Sequence, residues 1–234
     1  MIRLGITGTD TGVGKTMVGC AIAAGLRRRG LRVAAMKPVE TGVAFDDESR
    51  DGMRLAKAAG AVLPLSIVAP LVFADPIAPL AAARRSRSSV DLNVLDHTIR
   101  TAVAECDALL VEGAGGLLVP IADRLSFDGL FARWNLDVLV VAANRLGVIN
   151  HTRLTIAAAR AAGLVVRAVA LNNVKPSSDT SARENGLLIA ELEDVPVVEL
   201  PWLADTDELD SISDLLLPHV ISELELAGGQ GARR

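Results

Sequence analysis

The sequence predicts a single-domain α/β fold: a doubly wound, mainly parallel sheet with helices on both faces. Three observations predict it. Apolar, β-branched runs alternate with helix-like stretches along most of the chain. The strand-like runs are continuous rather than in-out alternating, the pattern of parallel strands covered on both faces. The chain has 234 residues, 50% of them hydrophobic, enough for one large core.

The expected strands are Ile2–Thr7, Val33–Lys37, Ala108–Glu112, Val138–Ala143, Val165–Asn172 and Val197–Leu200. The expected helices are Lys15–Arg29, Arg50–Ala59, Leu92–Glu105, Asn150–Ala161, Ser181–Glu191 and Glu208–Leu224, with breaks at Gly30, Gly60 and Gly163. Strand–helix alternation of this kind makes βαβ units with right-handed crossovers. The stretch Pro64–Ser89 interrupts the rhythm with Pro64, Pro70, Pro76 and Pro79 and then Arg-Arg-Ser-Arg-Ser-Ser. Proline excludes a central strand or helix interior, so this segment is expected to be irregular with at most a short helix. The domain is expected to span residues 1–226, with a disordered tail over 227–234.

Composition narrows the function. A mean hydropathy of +0.38 and 22% charged residues exclude a disordered chain. The net charge of −4 argues against a general nucleic-acid binder. Aromatics are 3% with no tyrosine, so base-stacking platforms are nearly absent. No apolar run reaches a membrane span of about 18 residues. The start lacks a secretory pattern, and Cys20 and Cys106 form no disulfide framework or zinc pattern. A cytoplasmic protein is the expectation. His97 and His151 suggest no metal site, and Cys20 reads as core.

Gly-Thr-Asp-Thr-Gly-Val-Gly-Lys-Thr at 8–16 follows an apolar strand and opens an amphipathic helix. That is the context of a phosphate loop, with five residues between Gly8 and Gly14 where the common pattern has four. The fold is therefore expected to be of the P-loop NTPase type. Backbone N–H groups and the helix N-terminus offer positive potential to phosphate oxygens. Lys15 can reach the β- and γ-phosphates, and the Thr16 hydroxyl can ligate Mg²⁺.

Asp-Ala-Leu-Leu-Val-Glu-Gly at 107–113 ends an apolar strand on Glu112, which sets a carboxylate at the C-terminal sheet edge where a metal-holding acid belongs. The glycines after it leave room for backbone contact with phosphate. Lys37 ends the second strand on the same edge and can enter the same crevice; a solvated lysine is the alternative. Asn172 and Asn173 end another strand. Their amides match an adenine edge, and a turn role fits equally well. Trp202 is either packing or a lid over the base.

Six segments together resemble the dethiobiotin synthetase family, in its order and spacing from about Ile2 to Glu208. They are 8–16, Lys-Pro-Val-Glu-Thr-Gly (37–42), Phe-Ala-Asp-Pro-Ile-Ala-Pro (73–79), Val-Glu-Gly-Ala-Gly-Gly (111–116), Leu-Gly-Val-Ile-Asn-His (146–151) and Pro-Trp-Leu (201–203). The resemblance implies an ATP- and Mg²⁺-dependent ligase of biotin synthesis. Such an enzyme joins CO₂ to 7,8-diaminononanoate and closes a cyclic urea, giving dethiobiotin, ADP and phosphate.

Residue by residue, the resemblance implies a nucleotide loop of Gly12, Val13, Gly14, Lys15, Thr16 and Met17, with Gly113, Ala114 and Gly115 beside it. Catalytic lysines fall on Lys37 and Lys15. Metal ligands fall on Thr16, Asp51 and Glu112, with Asp46 and Asp47 competing for the place of Asp51. Base and ribose contacts fall on Asn172, Asn173, Pro201, Trp202, Leu203 and Glu208. Substrate contacts fall on Thr11, Lys37 and Thr41, and on Leu146, Gly147, Val148 and Asn150. The last four are expected to come from the second subunit of a homodimer, the helix after them favouring the substrate carboxylate. One departure is Gly12, where many members carry Glu. The rival reading is a dimeric partitioning or regulatory ATPase, which carries a lysine where this chain has Asp10.

Overall fold

The computed structural model describes residues 1–174, 182–202 and 209–221. At the centre is a six-stranded parallel sheet. Its strands are β1 (Ile2–Gly8), β2 (Val33–Met36), β5 (Ala108–Gly116), β8 (Asp137–Ala143), β9 (Val166–Asn172) and β10 (Val197–Leu200), in the order β10-β9-β8-β1-β5-β2. The chain reverses direction across the sheet around β1, so the crevice that α/β sheets use for ligands lies at the C-terminal end of β1.

Both faces are buried, as the continuous apolar runs require. Ala108 and Leu110 of β5 pack with Leu4, Ile22 and Leu216, while Leu109 and Val111 pack with Leu95, Phe127 and Phe131. The first layer is carried by α1 (Lys15–Arg28), α2 (Asp51–Ala58) and α9 (Leu209–Val220). The second is carried by α5 (Leu92–Glu105), α6 (Phe127–Arg133), α7 (Val148–Ala161) and α8 (Ala182–Glu193). Gly5 lets Phe131 lie directly on β1, since a Cβ there would be 2.8 Å from its ring.

The proline-bearing segment is more ordered than expected. It holds α3 (Leu65–Val68), β4 (Leu71–Phe73) and α4 (Pro79–Arg85). β4 pairs in parallel with β3 (Val39–Thr41) in a two-stranded sheet outside the main one, where proline costs no central pairing. Pro79 starts α4 at the position where a missing N–H costs nothing. A hairpin of β6 (Pro120–Ala122) and β7 (Leu125–Ser126) leads into α6, which the sequence reading missed. α7 begins at Val148, two residues earlier than expected, and α9 tolerates Pro218 inside it.

Candidate active site

The phosphate loop lies where β1 hands over to α1. Gly14 caps the helix at φ 100°, with no side chain accepting from the first-turn amides. Those N–H groups therefore remain available to an anion. α5, by contrast, is capped by its own Asp91, whose carboxylate accepts from the Asn93 N–H at 2.8 Å. The Lys15 ammonium donates to the Asp10 carbonyl at 2.9 Å.

β1 and β5 run in register to Ile6–Glu112, and the next pair is Gly8–Gly116. The irregularity swings Gly113–Gly115 out beside the loop. It also leaves Glu112 buried at the point where that register breaks, and its Oε1 accepts from the Thr16 hydroxyl at 3.0 Å. Lys37 follows β2, the strand neighbouring β5. Its ammonium lies 2.5 Å from Glu112 Oε1, 3.0 Å from Asp51 Oδ2 and 3.3 Å from the Gly113 carbonyl. Asp51 is the first residue of α2. Asp47, its competitor in the sequence, instead accepts from the N–H and hydroxyl of Ser49.

The electrostatics follow from burial. Desolvation, reinforced by the neighbouring Lys37, lowers Lys15 to about 8. Lys37 is more deeply buried, which by itself would lower its pKa; Glu112 and Asp51 together outweigh burial and raise it. Burial also opposes the charge on Asp51, but the Lys37 ammonium and the hydroxyl of Thr16 hold it below the usual carboxylate range.

Lys15 and Lys37 line one cavity of about 600 Å³. Thr11, Gly12, Gly14, Thr16, Met17, Thr41, Asp51, Glu112, Ala114 and Gly115 line the same space, so most of the expected site is brought together. Val13 is buried beneath the loop. Asn172 lies there too: its amide nitrogen donates to the Val13 carbonyl at 2.9 Å, holding the loop from below. Asn173 donates to the Leu200 carbonyl at 2.9 Å, tying β9 to β10. Pro201 and Trp202 are exposed, and Leu203 and Glu208 lie outside the described residues. Leu146, Gly147 and Asn150 line a separate groove between α7 and α8, and Val148 is buried behind them.

Sequence reasoning missed Glu40, Val43, Arg54, Val119 and the stretch Pro76–Pro79, all of which line the cavity. Pro76–Pro79 had a signal in the matched segment 73–79 and Glu40 in the matched segment 37–42; Val43, Arg54 and Val119 had none.

The Thr16 hydroxyl and two carboxylates, Asp51 and a Glu112 whose buried Oε2 has no partner among the described residues, make a hard-oxygen donor set. No group of three or more His, Cys, Asp or Glu gathers among the described residues. Such a set fits Mg²⁺, which keeps waters and takes phosphate oxygens rather than demanding an all-protein cage.

A phosphate loop, a metal-type acid pair and a second buried lysine in one crevice define a P-loop nucleotide-dependent enzyme. A family model described as an AAA domain matches residues 3–209. ATP-dependent dethiobiotin synthetase of Anaeromyxobacter dehalogenans is 43% identical over 88% of this chain and 92% of its own. The enzyme of that name from Aquifex aeolicus is 38% identical, covering 94% and 98%, and one from Bacillus cereus is 36% identical, covering 94% and 92%. The chain belongs to the dethiobiotin synthetase family. A solved ADP-bound nucleotide-binding protein from Archaeoglobus fulgidus aligns over 95% of this chain and 91% of its own, at TM-score 0.48 and 16% identity.

Proposed function

We propose that this chain is a cyclo-ligase that converts 7,8-diaminononanoate, CO₂ and ATP to dethiobiotin, ADP and phosphate. The observation that carries the reading is the convergence of Lys15 and Lys37 on one cavity beside the phosphate loop. An alkyl amine near pKa 10 is mostly protonated at neutral pH. Two ammonium groups facing it disfavour its charged form. The free amine then adds to CO₂, loses a proton and becomes a carbamate, an anion the same lysines stabilise. Asp51 and Glu112 keep Lys37 cationic for that task.

The carbamate oxygen next attacks the γ-phosphorus, and ADP leaves. Positioning and charge neutralisation dominate such a step. Lys15 and the bare amides of α1 supply them here. The second amine finally attacks the carbamoyl carbon and expels phosphate, closing the urea ring. Thr16, Asp51 and Glu112 would hold Mg²⁺, which when bound neutralises charge on the β- and γ-phosphate oxygens.

The chain is further proposed to work as a cytoplasmic homodimer. Leu146 is 81% exposed, Gly147 caps α7 at φ 91° without a side-chain cap, and this segment lies apart from the central cavity. Those features suit a segment that completes the site of a second subunit and binds the substrate carboxylate. No described helix is long and apolar enough to cross a membrane. Asp10 in place of a second loop lysine speaks against the partitioning ATPase.

The test is incubation with diaminononanoate, bicarbonate and Mg-ATP. Phosphate release that depends on the diamine, with dethiobiotin detected by mass spectrometry, is expected. Hydrolysis indifferent to the diamine would remove the proposal.

A further inference from the structure

The cavity wall includes Glu40, whose buried ion pair with Arg50, behind the wall, makes none of the contacts invoked above. Arg50 Nη1 donates to Glu40 Oε2 at 2.5 Å, and 0% and 3% of these side chains are exposed. Glu40 is in the middle of β3, three residues after Lys37. Its other oxygen, Oε1, accepts the Gly52 N–H at 2.9 Å. Gly52 is the second residue of α2 and Arg50 its N-cap, so Glu40 holds the residues on both sides of Asp51.

This is an unusual way to finish a helix. Arg50 offers α2 no side-chain cap, so the acceptor arrives from another element. A local Ser, Asp or Asn at that position would serve the helix alone. A buried ion pair is also poor value for stability, since an apolar pair of similar volume often does as well or better. Arg50 even leaves its Nε and Nη2 without partners among the described residues. What the pair adds is a fixed position. The segment 37–40 grips α2 at adjacent residues, through the Lys37 ammonium on the Asp51 carboxylate and through Glu40 on the Gly52 amide. The approach is tight: a Cβ on Gly52 would lie 2.8 Å from Glu40 Oε2 and 2.7 Å from the Ala69 Cβ.

We infer that Glu40 and Arg50 are positioning residues that fix the Asp51 carboxylate where it meets Lys37 and the nucleotide's metal. The inference rests on the proposed role of Asp51 as a metal ligand. Arg50 does a second job, neutralising Glu40 so that the cavity wall does not carry an uncompensated carboxylate in addition to Asp51 and Glu112, which share Lys37.

The test measures Mn²⁺ binding to the full chain with ADP by electron paramagnetic resonance, in four proteins: wild type, Glu40→Gln/Arg50→Met, Asp51→Asn, and all three substitutions together. The expected result is Mn²⁺ affinity roughly tenfold weaker in the pair variant, with metal-free ADP affinity unchanged. The same pair substitution should have no further effect in the Asp51→Asn background, because the pair acts through that carboxylate. An unchanged Mn²⁺ affinity in the pair variant, or an equal loss in both backgrounds, overturns the inference. Wild-type Mn²⁺ affinity in Asp51→Asn alone would instead overturn the ligand role of Asp51. Should the pair variant fail to fold, Gly52→Ala presses on Glu40 with both charges kept, and the same Mn²⁺ loss is expected; wild-type affinity there overturns the inference.

Discussion

Arg167 and Asp137 pair at 2.6 Å near the starts of β9 and β8, with 33% and 30% of their side chains exposed. Lys37 and Glu112 pair at 2.5 Å at the C-terminal edge of the sheet, where β2 ends and the β1–β5 register breaks, with 6% and 1% exposed. The chemistry of the two contacts is similar, but the environments are not. Near the strand starts water screens the charges, and such pairs contribute about 0–1 kcal/mol. At the strand ends water is largely excluded, and removing one partner of such a pair costs about 3–5 kcal/mol. A fold gains little stability from placing charges there, which suits the catalytic role proposed for Lys37. Arg32 and Asp107, which lead into β2 and β5, follow the first pattern: the carboxylate accepts the Arg32 backbone N–H at 2.8 Å and lies 3.7 Å from its guanidinium.

The largest effect should come from Lys37→Gln. Turnover is expected to fall on the order of 10²–10³-fold, with nucleotide affinity retained; near-normal turnover would place the strand-end pair with the surface pairs. Next comes Glu112→Gln, which should weaken Mg²⁺ binding with nucleotide by roughly 10–100-fold. An unchanged Mg²⁺ titration would take Glu112 out of the metal site. Gly14→Ala should follow. Its φ is 100° and the new Cβ would lie 2.3 Å from Asn172 Nδ2. The left-handed backbone alone costs about 1–2 kcal/mol, so calorimetry should show weaker ADP binding; full affinity would mean the loop has slack. The smallest change is expected from Arg167→Ala, at most about 1 kcal/mol of stability, with kcat untouched. A large loss of activity there would break the distinction between the two edges.

The β1–loop–α1 unit was legible because every contact that defines it is local: an apolar strand, glycines that free the backbone and an amphipathic helix. Glu112 was legible for a similar reason, as the first acid after an apolar run. The short elements β3, β4, α3, α4 and the β6–β7 hairpin were not, because segments of two to seven residues show no usable period. Their order comes from packing on the main sheet, as in the Lys37 N–H donating to the Val68 carbonyl at 2.9 Å. Asn172 shows the limit from the other side. Its strand-end position was read correctly, while the support it gives Val13 spans a sequence gap that no spacing reveals.

By itself the sequence determined the parallel sheet and the phosphate loop, because apolar periodicity and a local glycine-lysine pattern are properties of neighbouring residues. Only the tertiary structure decided that the Lys37 ammonium meets both Asp51 and Glu112, that Asp51 rather than Asp47 reaches it, and that Glu40 accepts from Arg50 and from the Gly52 N–H beside them. Those facts depend on which strands lie side by side and on how much water the packed layers exclude.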